Sequence, residues 1–239
     1  MMPRFGDVWV YLNATPLLWL TATLAAYVAA FWLYQRVGQN PLVNPVAVSV
    51  AALVAVLVAS GTDYTTYFDG AQFVHFLLGP ATVAIAVPLH LNLAVVRRNL
   101  VPMAAALLAG SVTAAVSVVG IAYALGASRE TLLSLAPKSV TAPIAMGIAE
   151  QIGGVPSLTA VLVILTGITG AMIAKPVLNL LGIRDWPARG FAVGLTAHGI
   201  GTARAFQVNE VAGTFAGIAM GLNGLATAFL VPLLASLLT

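Results

Sequence analysis

The sequence has 239 residues, 60% of them hydrophobic and 7% charged, with a formal net charge of +3 and no cysteine. A soluble globular domain carries about 25% charged residues, so this chain has too few polar side chains to cover a water-facing surface. Disulfides and thiolate metal sites are excluded, and basic residues scattered without interleaved aromatics argue against a nucleic-acid surface.

Residues 1–15 read as an N-terminal extension. The first apolar run, 15–34, is too long for the core of a signal peptide and lacks a small-residue cleavage site, so a retained helix is expected. Uncharged runs at 103–126, 155–174 and 212–238 also reach the roughly 20 residues a helix needs to cross hydrocarbon. Helices are the default, because lipid offers unpaired backbone groups no partner and these runs are too long for barrel strands. A second helix is expected over about 41–60, then a polar, aromatic connection over 62–69. The stretch 73–96 is broken at Gly79 and Pro80 and again at Pro88. Residues 128–154 are too polar for a plain lipid-facing helix, and a Gly-rich segment, 190–206, precedes the last span.

The expected fold class is therefore an all-α integral membrane protein, a polytopic bundle of six to seven spans with broken or re-entrant helices. Lys and Arg concentrate in short cytoplasmic loops. Arg36, the Arg97/Arg98 pair, Arg184 and Arg189 share one side only if 128–154 makes no net crossing, which favours a re-entrant segment there. On that parity, halves of about 41–126 and 155–238 form an inverted repeat of three spans each, with a broken middle member near Pro80 in one and near Gly199 in the other. Paired interruptions of this kind point to a binding site near the bilayer midplane.

Three segments could carry chemistry. In 137–143, Pro137 and Pro143 unwind the helix while Lys138, Ser139 and Thr141 supply donors suited to a carboxylate. The alternative is a loop shaped by the prolines, with Lys138 snorkelling to the interface. In 195–206, Gly199 and Gly201 let backbone approach a ligand, Thr202 adds a hydroxyl and Arg204 a planar fork for a carboxylate. His198 there is either a proton carrier or a hydrogen-bonded packing residue. In 78–82 the break at Pro80 leaves Thr82 polar within an apolar run; a simple kink explains much of it, and His90 suits an interface. Gly190 with Gly194, and Gly213, Gly217 and Gly221, have the spacing of close helix packing. Asn223 reads as an interhelical hydrogen-bonding residue. Hydrolase and nucleotide-binding motifs are missing and the acidic residues fall mostly at loops, so no enzyme, metal or cofactor is expected.

At these segments the sequence resembles the LrgB/CidB family of bacterial membrane proteins. Leu78-Gly79-Pro80-Ala81-Thr82 with the run to Leu89, Pro137-Lys138-Ser139-Val140-Thr141-Ala142-Pro143 and Ala197-His198-Gly199-Ile200-Gly201-Thr202-Ala203-Arg204 carry the resemblance, over roughly residue 40 to the C-terminus, within one membrane domain at 16–239. It implies a multi-pass protein of the bacterial cytoplasmic membrane working with a small LrgA/CidA-like membrane protein; a homo-oligomer stays open. Two functions attach to it. One is transport of small monocarboxylates (glycolate, glycerate, lactate or pyruvate class), through similarity to the membrane part of the plant plastidial glycolate/glycerate translocator. The other is holin/antiholin-like modulation of murein hydrolase export and autolysis. The clustering of polar groups at helix breaks favours the first, with the carboxylate between the Lys138 and Arg204 segments.

Overall fold

The structure is a computed structural model that describes residues 16–40, 43–77, 80, 90 and 93–236. No strand occurs among the described residues. The chain divides into two compact units, residues 1–84 and 85–239.

The first unit holds α1 (Pro16–Arg36), α2 (Pro45–Ser60) and α3 (Tyr64–Phe76). Helix α2 begins later than expected because Asn44 caps it, its side chain accepting from the Val46 and Ala47 N–H groups, with Pro45 at the first helical position. It ends at Gly61, which takes the left-handed conformation open to glycine (φ 66°). The expected connection over 62–69 is instead mostly helix α3. Asp63 starts it, accepting from the Thr66 hydroxyl at 2.8 Å and from the Thr65 and Thr66 N–H groups. Those bonds, the Thr66 hydroxyl foremost, hold the exposed Asp63 carboxyl near a pKa of about 2. This cap is therefore at full strength above the ordinary carboxylate range and is lost only as pH falls through about 2. Against α1, Tyr67 sets its ring edge-on to Trp19 at 5.9 Å and its hydroxyl 3.2 Å from that of Thr23.

The second unit holds α4 (Leu93–Arg98), α5 (Leu100–Ala124), α6 (Arg129–Leu135), α7 (Ala142–Ile152), α8 (Pro156–Leu180), α9 (Trp186–Val208) and α10 (Glu210–Ser236). Among the described residues, Leu17–Arg36, Leu100–Ala124, Pro156–Leu180 and Glu210–Ser236 are long and apolar enough to cross a bilayer, while much of the expected stretch 73–96 lies outside the described residues. Helices α6 and α7, of 7 and 11 residues, reach only about 10 and 16 Å and span nothing alone. They form a hairpin that closes on itself. The Val155 N–H, just past α7, donates to Ser134 Oγ at 2.8 Å, and the Thr159 hydroxyl donates to Ser134 O at 3.1 Å. A Cβ on Gly154 would come within 2.9 Å of Ser134 N, so only glycine allows this return. The segment 128–154 is thus a short helical hairpin whose two ends lie together.

Helix α9 holds a second reversal. The expected crossing through Gly199 is replaced by a return at His198, whose φ of 40° and ψ of −132° interrupt the helix. In a straight helix, residues eight apart are separated by about 12 Å. Here a Cβ on Gly201 would lie 2.9 Å from Val193 Cγ1, eight residues earlier. Val193 and Ala205 also share a core cluster with Ala212 and Ala216 of α10. The two arms of α9 therefore fold back on each other. Along the described chain, the second unit is three long helices, α5, α8 and α10, with one helical hairpin between each consecutive pair. The first hairpin joins α8 at its N-terminal end and the second at its C-terminal end.

Glycines in α9 set the packing on α10: a Cβ on Gly190 or Gly194 would overlap the backbone at Ala212 or Ala216, and one on Gly213 would strike the Phe206 ring. Gly221 has nothing within 4 Å of a built Cβ, so it takes no part in this contact.

Single cysteines at Ser128, Trp186 and Gln207 in intact vesicles give the sidedness directly. Trp186 and Gln207 are expected to label from one face and Ser128 from the other. Labelling of Trp186 and Gln207 from opposite faces would mean that α9 crosses the membrane.

Candidate functional site: two hairpin tips around Asn223

The first tip is the turn between α6 and α7. Its depth is set by Val140 and Ala145, which pack on Val163, the eighth residue of α8. Ser139 is buried and Lys138 half-buried, its Nζ 3.3 Å from Ser139 Oγ. Thr141 occupies the N-cap of α7 in an extended conformation, with Pro143 in the first turn, but its side chain makes no capping bond. The hydroxyl is thus not committed to the helix end beside Lys138.

The second tip is the reversal in α9, and it reaches the same residue of α8. Since a carbonyl only accepts, His198 Nε2 carries a proton and donates it to Val163 O at 2.9 Å. His198 is buried (4% exposed) and within electrostatic range of Lys138. Space for the tip comes from α8, where a Cβ on Gly167 would lie 2.6 Å from His198 Cε1 and one on Gly170 2.6 Å from Ala197 Cβ. The broken helix leaves carbonyls to satisfy. The Thr202 hydroxyl donates to His198 O at 2.8 Å, so Thr202 supports the tip. Gly199 and Gly201 lie in the helical arm after the turn.

Asn223 of α10 ties the tips together. Its Nδ2 donates to Ser139 O at 3.1 Å and to Leu195 O at 3.0 Å, one carbonyl from each hairpin. Its Oδ1 accepts from Ser111 of α5 at 2.7 Å and from Thr227 at 3.3 Å. The side chain is 1% exposed and fully bonded. Sequence alone suggested an interhelical bond; what it bonds to could not be read, because its partners lie 84, 28 and 112 residues away.

Lys138 lines a groove of about 520 Å³ with Thr166, Thr169, Gly170, Ala192 and Thr196. The Thr166 and Thr196 hydroxyls donate to Leu162 O and Ala192 O, which leaves their oxygens as acceptors toward a ligand. Arg204 does not line this groove. It lines an adjoining cavity of about 250 Å³, which shares Ala174, Leu178 and Val193 with the groove and is also lined by Lys175 and Arg189. The structure thus brings together the 137–141 turn and the His198 reversal, with Thr202 behind it, and places Arg204 elsewhere. Pro80 is an exposed residue in the first unit, as His90 is exposed in the second; Thr82 lies outside the described residues.

The profile of the LrgB-like family matches residues 23–237. The chain belongs to the LrgB-like family. Among its relatives are the uncharacterized proteins YwbG and YxaC of Bacillus subtilis (strain 168). They are 36% and 34% identical over 91% and 88% of this chain and 96% and 91% of their own lengths. The holin-like protein CidB of Staphylococcus epidermidis is 30% identical over 94% of this chain and 96% of its own length. No solved structure gives a significant match. As an LrgB-like chain with four helices fit to cross a bilayer among its described residues, this is a membrane protein.

Proposed function

We propose that this protein carries a small monocarboxylate across the bacterial cytoplasmic membrane, holding the carboxylate at the first hairpin tip. The observation that supports this reading is the convergence of two hairpin tips on Val163 and Asn223, with Lys138 at the edge of an adjoining groove. A cation at membrane depth is costly and marks a solute path by default, and interrupted helices meeting from opposite faces are the usual setting of a transporter site. Lys138 supplies the charge, with Ser139 and Thr141 beside it. His198, Gly199, Gly201 and Thr202 shape the opposing wall. The groove suits acids of the glycolate, lactate and pyruvate class, with Thr166 and Thr196 facing a hydroxyl or keto group. No bond is made or broken in this cycle, so the protein is read as a carrier and not an enzyme.

Purified protein in liposomes is expected to take up labelled glycolate, lactate or pyruvate saturably. Removing one charge-assisted bond costs roughly 1.5–3 kcal/mol, so Lys138→Ala should weaken apparent affinity about 10- to 100-fold. Undiminished uptake by folded Lys138→Ala would remove Lys138 from the site.

A second reading has a specific observation in its favour: relatives aligned over more than nine-tenths of this chain are named holin-like proteins. Those names support it more directly than they support carboxylate transport. In this reading the chain acts with a small LrgA/CidA-type membrane partner to modulate murein hydrolase export and autolysis. Release of large solutes or of a murein hydrolase, without saturable acid uptake, would establish it in place of the first.

A further inference from the structure

The groove that Lys138 lines is much longer than a three-carbon acid. Its α8 side runs from Leu162 to Leu178, and the first arm of α9 closes it with Ala192, Val193 and Thr196. The turn that carries Lys138 packs on Val163 through Val140, which places it toward the Leu162 end. From Val163 to Leu178 the helix advances about 22 Å. A carbon chain advances at most about 1.5 Å per bond, so a three-carbon acid held at Lys138 fills only that end.

The wall changes character along this length. Thr166 and Thr169 stand on α8 in the first part; beyond them the helix presents Gly170, Ile173, Ala174, Val177 and Leu178, with no polar side chain. Ile173 and Val177 are 50% and 43% exposed, so this wall is open to an apolar occupant. Among the described residues that line the groove, Lys138 is the one that carries a charge. A cation and hydroxyls at one end, followed by an uninterrupted apolar wall, complement an amphiphile with a single anionic head. A lipid chain alone would match the wall but not the cation.

We infer that the groove receives a hydrocarbon tail, so that the protein takes 2-oxo or 2-hydroxy monocarboxylates of up to about ten carbons, with the head at Lys138 and the tail along α8. This rests on the carboxylate reading above and extends it from three-carbon acids to a tailed class. Each methylene taken fully into the groove should tighten binding about fourfold, and each half-buried one about twofold. Ala192 precedes the reversal at His198 by six residues, about 9 Å along the first arm. A long tail passes it, and a three-carbon acid at the tip does not reach it.

The test uses the full chain in lipid nanodiscs and unbranched 2-oxo acids of three to ten carbons, each titrated against a labelled six-carbon acid. Affinity is expected to rise about two- to fourfold per added methylene. Ala192→Phe, at an exposed position, obstructs the groove midway and should flatten the series among the longer acids. Ile173→Ser, exposed on α8, should lower the slope independently, so the outcome does not hang on one variant. Lys138→Gln should weaken every member about tenfold and keep the slope. A flat series in the wild type that still weakens in Lys138→Gln overturns the tail groove and leaves the carboxylate reading standing. A series that Lys138→Gln leaves unchanged, or no binding at all, overturns both. A slope equal to that of the wild type in both Ala192→Phe and Ile173→Ser means that the tails dissolve in the bilayer, and overturns the groove.

Discussion

Asn223→Ala is expected to destabilise the protein by roughly 3–5 kcal/mol. Interhelical hydrogen bonds in membranes contribute about 0.6–2 kcal/mol each, and a buried group left unpaired costs about 1–3 kcal/mol. Alanine would strand two carbonyls, Ser139 O and Leu195 O, and deprive the Ser111 hydroxyl of its acceptor. Helix α10 would then be released from both hairpin tips at once, so the loss exceeds that of any single bond. Asn223→Asp is the sharper variant, because it has nearly the same volume and keeps an acceptor for Ser111. An ionised carboxylate would face two carbonyl oxygens, and a neutral acid could serve only one of them. The aspartate variant should therefore unfold almost as readily as the alanine variant in denaturant melts of the detergent-solubilised chain. A loss below about 1 kcal/mol in both would mean that the tips hold together without this residue.

The glycines of α9 and α10 give the second large effect and its own control. Overpacking a tight contact costs about 1–3 kcal/mol when side chains can move aside, and more when the obstacle is backbone. At Gly194 the obstacle is the Ala216 carbonyl of α10, and Gly190 meets Ala212 in the same way. Helix α10 has little freedom to retreat, since Asn223 ties it to Leu195 in the same arm. Gly194→Ala should thus cost more than 3 kcal/mol, beyond the ordinary overpacking range. Gly221 is one of the glycines whose spacing suggested packing, yet it faces open space. Gly221→Ala is expected to be neutral or stabilising by up to about 1 kcal/mol, from helix propensity alone. Equal melting of the two alanine variants would refute the close approach of α9 to α10.

The contrast between Gly194 and Gly221 shows how far sequence reading extends. Spacing identifies small residues on one helix face but not which of them meets a neighbour. The 128–154 segment was more legible, because Pro137, Pro143 and Lys138 are local signals, and Ser128 and Gly153 mark its helix ends by capping rules. Helix α3 was missed although Asp63 is a strong start signal, because its aromatic and polar residues lack the hydropathy of a span.

What the sequence by itself determined is the solvent and the all-helical class. With 7% charged residues and long apolar runs, the cost of exposing apolar surface to water and bare backbone to lipid leaves a helical membrane protein. Tertiary structure alone decided the site. A positive φ at His198 is unfavourable for that residue in isolation. It exists because Gly167 and Gly170 clear room on α8, Val163 O holds the imidazole and Asn223 takes up the freed Leu195 carbonyl. Those partners lie 28 to 35 residues away, and no local pattern encodes their meeting. The same reversal places Arg204 with Lys175 and Arg189, in a cavity that Lys138 does not line.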